Sequence, residues 1–177
     1  MLLDGVPEGQ SLDTRTWLCG PPPSTGQRQR YPSRFFHNLE KTYLTTDRKV
    51  LTMFAGSSPI GDTTDIRPET GADIIGPFDA LPIADDTYDM VLADPPYTVG
   101  FSQEWVSSLD DVPRPKHVLR EAVRVTRPGG LVLILHVIVI PAYKEFGVER
   151  IALHPILCGP NNAIRVLNVF KTLWYRT

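Results

Sequence analysis

The chain has 177 residues, 42% hydrophobic and 21% charged, with a formal net charge of −2, which is ordinary for one soluble globular domain with a real core. Its start, Met1-Leu2-Leu3-Asp4, lacks the basic and apolar regions of a signal peptide, and its longest apolar run, Leu131–Ile140, is about half a membrane span. Cys19 and Cys158 stand alone, without paired spacing, so no disulfide framework or metal site is expected and a reducing cytoplasm is the expected setting.

Residues 1–32 read as a flexible N-terminal arm, with Pro21-Pro22-Pro23-Ser24-Thr25-Gly26 and few periodic apolar positions. Trp17 and Leu18 are its exceptions and are expected to dock onto the domain, which covers residues 33–177. A helix begins near Ser33, with Phe35, Phe36, Leu39 and Tyr43 on one face. Short apolar strands follow at Lys49–Phe54, Thr63–Ile66, Asp73–Ile75 and Tyr88–Ala93. Pro115–Val125 is an amphipathic helix with Val118, Leu119, Ala122 and Val125 spaced three and four apart, ended by Arg127-Pro128-Gly129-Gly130. A buried fifth strand then spans Leu131–Ile140, and Glu149–Leu157 with Ile164–Leu173 form a closing hairpin about Cys158-Gly159-Pro160-Asn161-Asn162.

Charge is unevenly spread along this order. Residues 60–111 hold twelve acids against Arg67 alone, between residues 14–49 with seven bases and two acids and residues 113–177 with ten bases and three acids. An acidic middle between basic arms suits a cofactor site set among nucleic-acid contacts; unclustered surface charge accounts for it as well.

Asp94-Pro95-Pro96-Tyr97 follows the Tyr88–Ala93 strand without a gap. Proline cannot continue a central strand, so the chain must leave the sheet there, at the edge where open α/β sheets bind ligands. The tetrapeptide resembles the catalytic motif of the S-adenosylmethionine-dependent amino-methyltransferases, chiefly the N6-adenine and N4-cytosine DNA enzymes. Asp79–Asp89 and Arg124–Gly130 are also similar to stretches of that superfamily. The resemblance covers roughly residues 48–173 and implies an α/β fold, the Rossmann-like sheet of class I methyltransferases with its last strand antiparallel.

The sheet is trimmed. Parallel strands need a crossover of a dozen or more residues, usually a helix. Only Ser57–Asp62 and Arg67–Ala72 separate the first three strands, so the first crossover helices are short or absent. An uncovered apolar face is an association site, so the arm with its Phe35-Phe36 helix, together with a homodimer mate or a partner subunit, is expected to cover it.

An exocyclic amine on a nucleobase is a weak nucleophile because its lone pair is delocalised into the ring. A carboxylate and a carbonyl accepting its two hydrogens localise that pair and aim it; Asp94 and the carbonyl of Pro95 suit this, with Pro96 fixing the turn. Asp94 needs no raised pKa for the task. Tyr97 would stack on the base, with Phe101 or Trp105 as a second wall.

For the cofactor, S-adenosylmethionine, the resemblance points to Phe54-Ala55-Gly56 and Ser57 in the first loop, Asp65 on the ribose hydroxyls, and Asp79 with Ala80 near the adenine amine. Gly56 allows close backbone approach, and Ser57 or Ser58 could take the methionine carboxylate. Asp65 and Asp79 equally suit solvated or helix-capping positions, and Ser57-Ser58-Pro59-Ile60-Gly61 departs from the family's glycine-rich loop. Phe36 is a weak match for the family's phenylalanine near the cofactor.

His136 reads as a pocket-wall or core histidine before a catalytic one, and His117 as a solvated residue. His37 and His154 lack partners at metal spacing. Arg114, Lys116, Arg120 and Arg124 share a helix that either contacts phosphate or faces solvent. The expectation is methyl transfer to a nucleobase amine, adenine N6 in DNA foremost. An RNA base, or a catalytically silent nucleic-acid-binding subunit, is the alternative.

Overall fold

The computed structural model describes residues 11–21, 31–56, 58–97, 112–159 and 164–174. Eight strands form one mixed sheet: β1 (Trp17–Leu18), β2 (Val50–Met53), β3 (Asp62–Asp65), β4 (Ile74–Ile75), β5 (Tyr88–Ala93), β6 (Thr126–His136), β7 (Val148–Leu157) and β8 (Arg165–Thr172). Their spatial order is β1-β7-β8-β6-β5-β2-β3-β4. All neighbours are parallel except β8, which runs antiparallel between β6 and β7. Among the described residues two α-helices flank it, α1 (Phe35–Thr42) and α2 (Pro115–Val125).

The expected elements recur in order, and β5 and α2 fall on their expected bounds. The fifth strand does not. Thr126 to Gly130 do not form a loop; β6 begins at Thr126, directly after α2, and stops at His136 instead of Ile140. The pairing jumps from Tyr88↔Thr126 to Met90↔Leu131, so the extra β6 residues bulge against β5. Gly130 is required in that bulge: a Cβ there would lie 2.6 Å from Thr126 Cγ2 and 2.8 Å from the Asp89 carbonyl oxygen. At its far end β6 is turned away by Asn168, whose amide donates to the Ile138 carbonyl (3.1 Å) and accepts from the Ile140 N–H (2.8 Å).

The crossover helices are indeed missing. Among the described residues, a single turn of 3₁₀ helix at Pro68–Thr70 is the only helix between β2 and β5. The β2–β3 connection doubles back so tightly that a Cβ on Gly61 (φ 67°) would overlap the Val50 carbonyl oxygen.

Each face carries its own core. On one, α2 lays Val118, Leu119, Ala122 and Val125 against Met53, Val91, Val132, Ile134 and Phe170. On the other, Phe35 and Leu39 of α1 and Trp17 of β1 cover Met90, Leu92, Leu133, Leu135 and Val169. Trp17 docks as expected, stacked on buried His154 at 4.9 Å, whereas Leu18 is exposed. The β1–β7 register, Trp17↔Ile156 and Leu18↔Leu157, also brings the two separate cysteines to adjacent positions, both buried.

Candidate functional site

β2, β3, β4 and β5 are mutually parallel, so the residues that end them share one edge of the sheet. Asp94 follows β5 directly. It is buried, as is Pro95, while Pro96 and Tyr97 are half-buried. The antiparallel direction of β8 matters here. Its first residue, Arg165, starts at the edge where the parallel strands finish, and its Nη1 lies 3.5 Å from Asp94 Oδ2.

Asp94 is therefore enclosed by its own chain. The Tyr97 hydroxyl donates to Asp94 Oδ1 in a short contact and lies 3.3 Å from the Leu135 carbonyl oxygen. The Tyr97 ring meets His136 edge-on at 4.9 Å, with its hydroxyl turned to the carboxylate. Burial pushes the Asp94 carboxyl up to about 6, against the opposing pull of the Arg165 charge and the Tyr97 hydrogen bond. The role read for Asp94 requires no such rise, and no local signal announces it. Burial also pushes the Tyr97 phenol well above its ordinary range, reinforced by the Asp94 charge. Burial works against the charge of Arg165, but Asp94 and Tyr97 outweigh it and hold the guanidinium protonated.

Tyr31 completes this group from the arm. Its hydroxyl is buried and has no hydrogen-bond partner among the described residues, and both the Asp94 and Arg165 charges act on it. Neither Tyr31 nor Arg165 was singled out in the sequence. Arg165 lies 71 positions from Asp94, and its sole local mark is to open a strand after a turn. His136 is buried against the Tyr97 ring, and desolvation lowers its basicity.

The other candidates lie along the same edge. Phe54 and Gly56 both have left-handed backbone (φ 56° and 51°), so the chain kinks sharply as β2 ends. Such strain in a non-glycine residue is concentrated at ligand sites. Ala55 is buried and its N–H donates to the Thr64 carbonyl at 3.0 Å, tying the loop to β3. The Phe54 ring lies 5.3 Å from Phe78, which brings the loops after β2 and β4 together. Ser57 lies outside the described residues, as do Phe101 and Trp105. Ser58 turns inward, 3.3 Å from Thr52 Oγ1.

Asp65 ends β3 and is buried, with both carboxylate oxygens gripped by the Arg67 guanidinium at 3.0 and 3.1 Å. A carboxylate offers about four lone-pair sites, so this grip leaves capacity for a ligand hydroxyl. Asp79 and Ala80 are exposed beyond Phe78. A kinked glycine turn, a neighbouring buried carboxylate and an acid one loop further on fit the carboxylate, ribose and base of an adenosyl cofactor in kind and order.

The basic face of α2 is not uniformly free for phosphate. Arg124 bonds Glu121, Asp85 and the carbonyls of Leu81 and Ile83, clamping the 81–85 loop to the helix. Lys116 pairs with Glu145 at 2.9 Å.

No family model matches the chain. Over 67 residues it is 43% identical to the demethylmenaquinone methyltransferase of Halalkalibacterium halodurans, a match spanning 37% of this chain and 22% of that protein. A chain from the Haloferax volcanii complex of the Trm112 methyltransferase activator with a methyltransferase superposes with a TM-score of 0.56 at 16% identity, covering 78% of this chain and 88% of that one. A SAM-dependent methyltransferase of Methanosarcina mazei gives 0.55 at 14% identity, covering 84% and 100%. One from Aquifex aeolicus gives 0.51 at 14%, covering 78% and 89%. The shared architecture is the Rossmann-like fold of class I methyltransferases.

Proposed function

We propose that this chain is an S-adenosylmethionine-dependent methyltransferase acting on an exocyclic amino group of a nucleobase, adenine N6 in DNA foremost. The observation that carries the reading is the placement of Asp94-Pro95-Pro96-Tyr97: a buried carboxylate at the end of a central strand, beside the strand whose end carries the kinked Phe54-Ala55-Gly56 turn. The fold and the partial likeness to a methyltransferase support the reaction class.

Bound at this edge, S-adenosylmethionine supplies an electrophilic methyl group. Phe54, Ala55 and Gly56 would border its methionine end, Asp65 would accept from its ribose hydroxyls, and Asp79 and Ala80 would flank its adenine. Asp94 and the Pro95 carbonyl accept the two amine hydrogens and localise the nitrogen lone pair. Asp94 then takes the proton that the methylated, cationic nitrogen must shed. An RNA base amine meets the same groups equally well.

A second reading, a silent nucleic-acid-binding subunit, is favoured by one observation: Arg67 and Arg165 each pair with a key carboxylate from within the chain. A partner, another copy or a different subunit, would sit on the β3–β4 end, where Ile66 and Ile75 remain exposed. The Haloferax volcanii structure is itself a complex with an activator.

Labelled methyl transfer to DNA, RNA and protein pools, followed by nucleoside analysis, tests both readings. Methylated adenine in DNA is expected. Asp94→Ala should lower the rate about a hundredfold or more while calorimetry shows cofactor binding unchanged. Absence of S-adenosylmethionine binding, with and without nucleic acid, would leave the silent subunit.

A further inference from the structure

The two oxygens of Asp94 are held differently. Oδ2 faces a guanidinium, with the Asp94 and Arg165 side chains only 9% and 14% exposed. Oδ1 takes a hydroxyl that has another acceptor within reach, the Leu135 carbonyl at 3.3 Å. A carboxylate shut away from water favours its neutral form, and a protonated Asp94 is a weaker acceptor and cannot take up the proton of the methylated amine. Some fixed cation must oppose that burial.

We infer that Arg165 is a positioning residue that anchors Oδ2 and keeps Asp94 anionic, while Tyr97 covers Oδ1 and yields it to the substrate amine by shifting its hydroxyl to the Leu135 carbonyl. This rests on reading Asp94 as the acceptor of the amine hydrogens. The permanent anchor and the exchangeable cover do separate jobs. A guanidinium stays charged across the physiological range and cannot be displaced by a neutral amine. A phenol with one proton and two acceptors can change partner at little cost.

The groups facing this carboxylate are few. Arg165 comes from β8, Tyr97 from the turn after β5, and Tyr31 from the arm. His136 of β6 touches the outer edge of Tyr97, and burial favours its neutral form. Cys158, after β7, and Cys19, after β1, lie on the far side near Arg165. Among the described residues Arg165 is thus the one cation acting directly on Asp94.

Carbon-detected NMR titration of the Asp94 carboxyl reads this without requiring activity. Arg165→Met should raise its midpoint by about one to three pH units above the wild-type value. Arg165→Lys should restore most of the shift, and Arg165→Gln, which keeps a donor but no charge, should behave like the Met variant. The acid limb of methyl transfer should move upward in step. An unmoved carboxyl midpoint in folded Arg165→Met, or in Arg165→Gln should the Met variant not fold, overturns the assignment. A shifted carboxyl in a protein that transfers no methyl group to any nucleic acid instead removes the proposed function and leaves Arg165 as the anchor. Tyr97→Phe separates the cover from the anchor: KM for nucleic acid should not rise, whereas a large rise would mean that the hydroxyl binds substrate rather than shielding Oδ1.

Discussion

The two halves of the sheet are built to different standards. The half made of β6, β7 and β8 has strands of 11, 10 and 8 residues, packed on both faces. The half made of β2, β3 and β4 has strands of 4, 4 and 2 residues. Apolar burial holds the first. In the second, β2 is buried in the same cores, while β3 and β4 add polar ties: Tyr88 hydroxyl to Asp62 at 2.8 Å, Thr63 hydroxyl to Asp73 at 2.7 Å, and Arg67 to Asp65 at 3.0 Å. Asp94 sits where the halves meet, anchored from the thick side by Arg165, while the groups that fit the cofactor lie on the thin side. The groups that would recognise a ligand thus gather on the side of the sheet with the shorter strands and the smaller packed apolar surface.

This division can be broken most forcefully at Phe170, which is fully buried in β8 with the Arg150 guanidinium 4.9 Å above its ring. Phe170→Ala should cost about 3–5 kcal/mol in denaturant unfolding; a loss near that of a surface change would mean the thick half is not the stabilising body. Asp65→Asn, on the thin side, should weaken S-adenosylmethionine binding by about 1.5–3 kcal/mol in calorimetry on the folded variant. Equal affinity would place the ribose elsewhere.

Acid sharpens the junction between the halves. Asp94 must be ionised to accept from an amine, and its carboxyl titrates at about 6. Activity should hold above that value and fall about tenfold per pH unit below it, as the buried carboxylate takes up a proton. A profile flat down to pH 5 would contradict an essential Asp94 carboxylate. The smallest effect is expected at Ile75, 43% exposed on the outermost strand. Ile75→Ala should change stability by less than about 0.5 kcal/mol. A large loss in concentrated solution, absent on dilution, would reveal an associating partner there.

Legibility in the sequence follows the same divide. α2 and β5 were readable to the residue because periodicity and the Pro-Pro stop are local signals. The start of β6 was not. Pro128-Gly129-Gly130 looks like a loop in one dimension, and it is a bulge only because β5 lies close enough to demand glycine. Residues 1–32 read as an arm, yet 11–21 include a strand paired to β7 that needs no periodicity of its own. Arg124 reads in sequence as either a phosphate contact or a solvent-facing residue of a basic helix face, but the 81–85 loop folds back to occupy it.

The succession of elements along the chain, the short connections between the first strands and the carboxylate at a strand end were fixed by residues adjacent in the chain, because turns, propensities and short connections act over a few positions. What faces that carboxylate was decided only by the tertiary structure. Inserting an antiparallel β8 beside β6 carries Arg165 to Asp94, and docking the arm carries Tyr31 to both. Those meetings depend on sheet order and strand direction, which no local pattern of residues records.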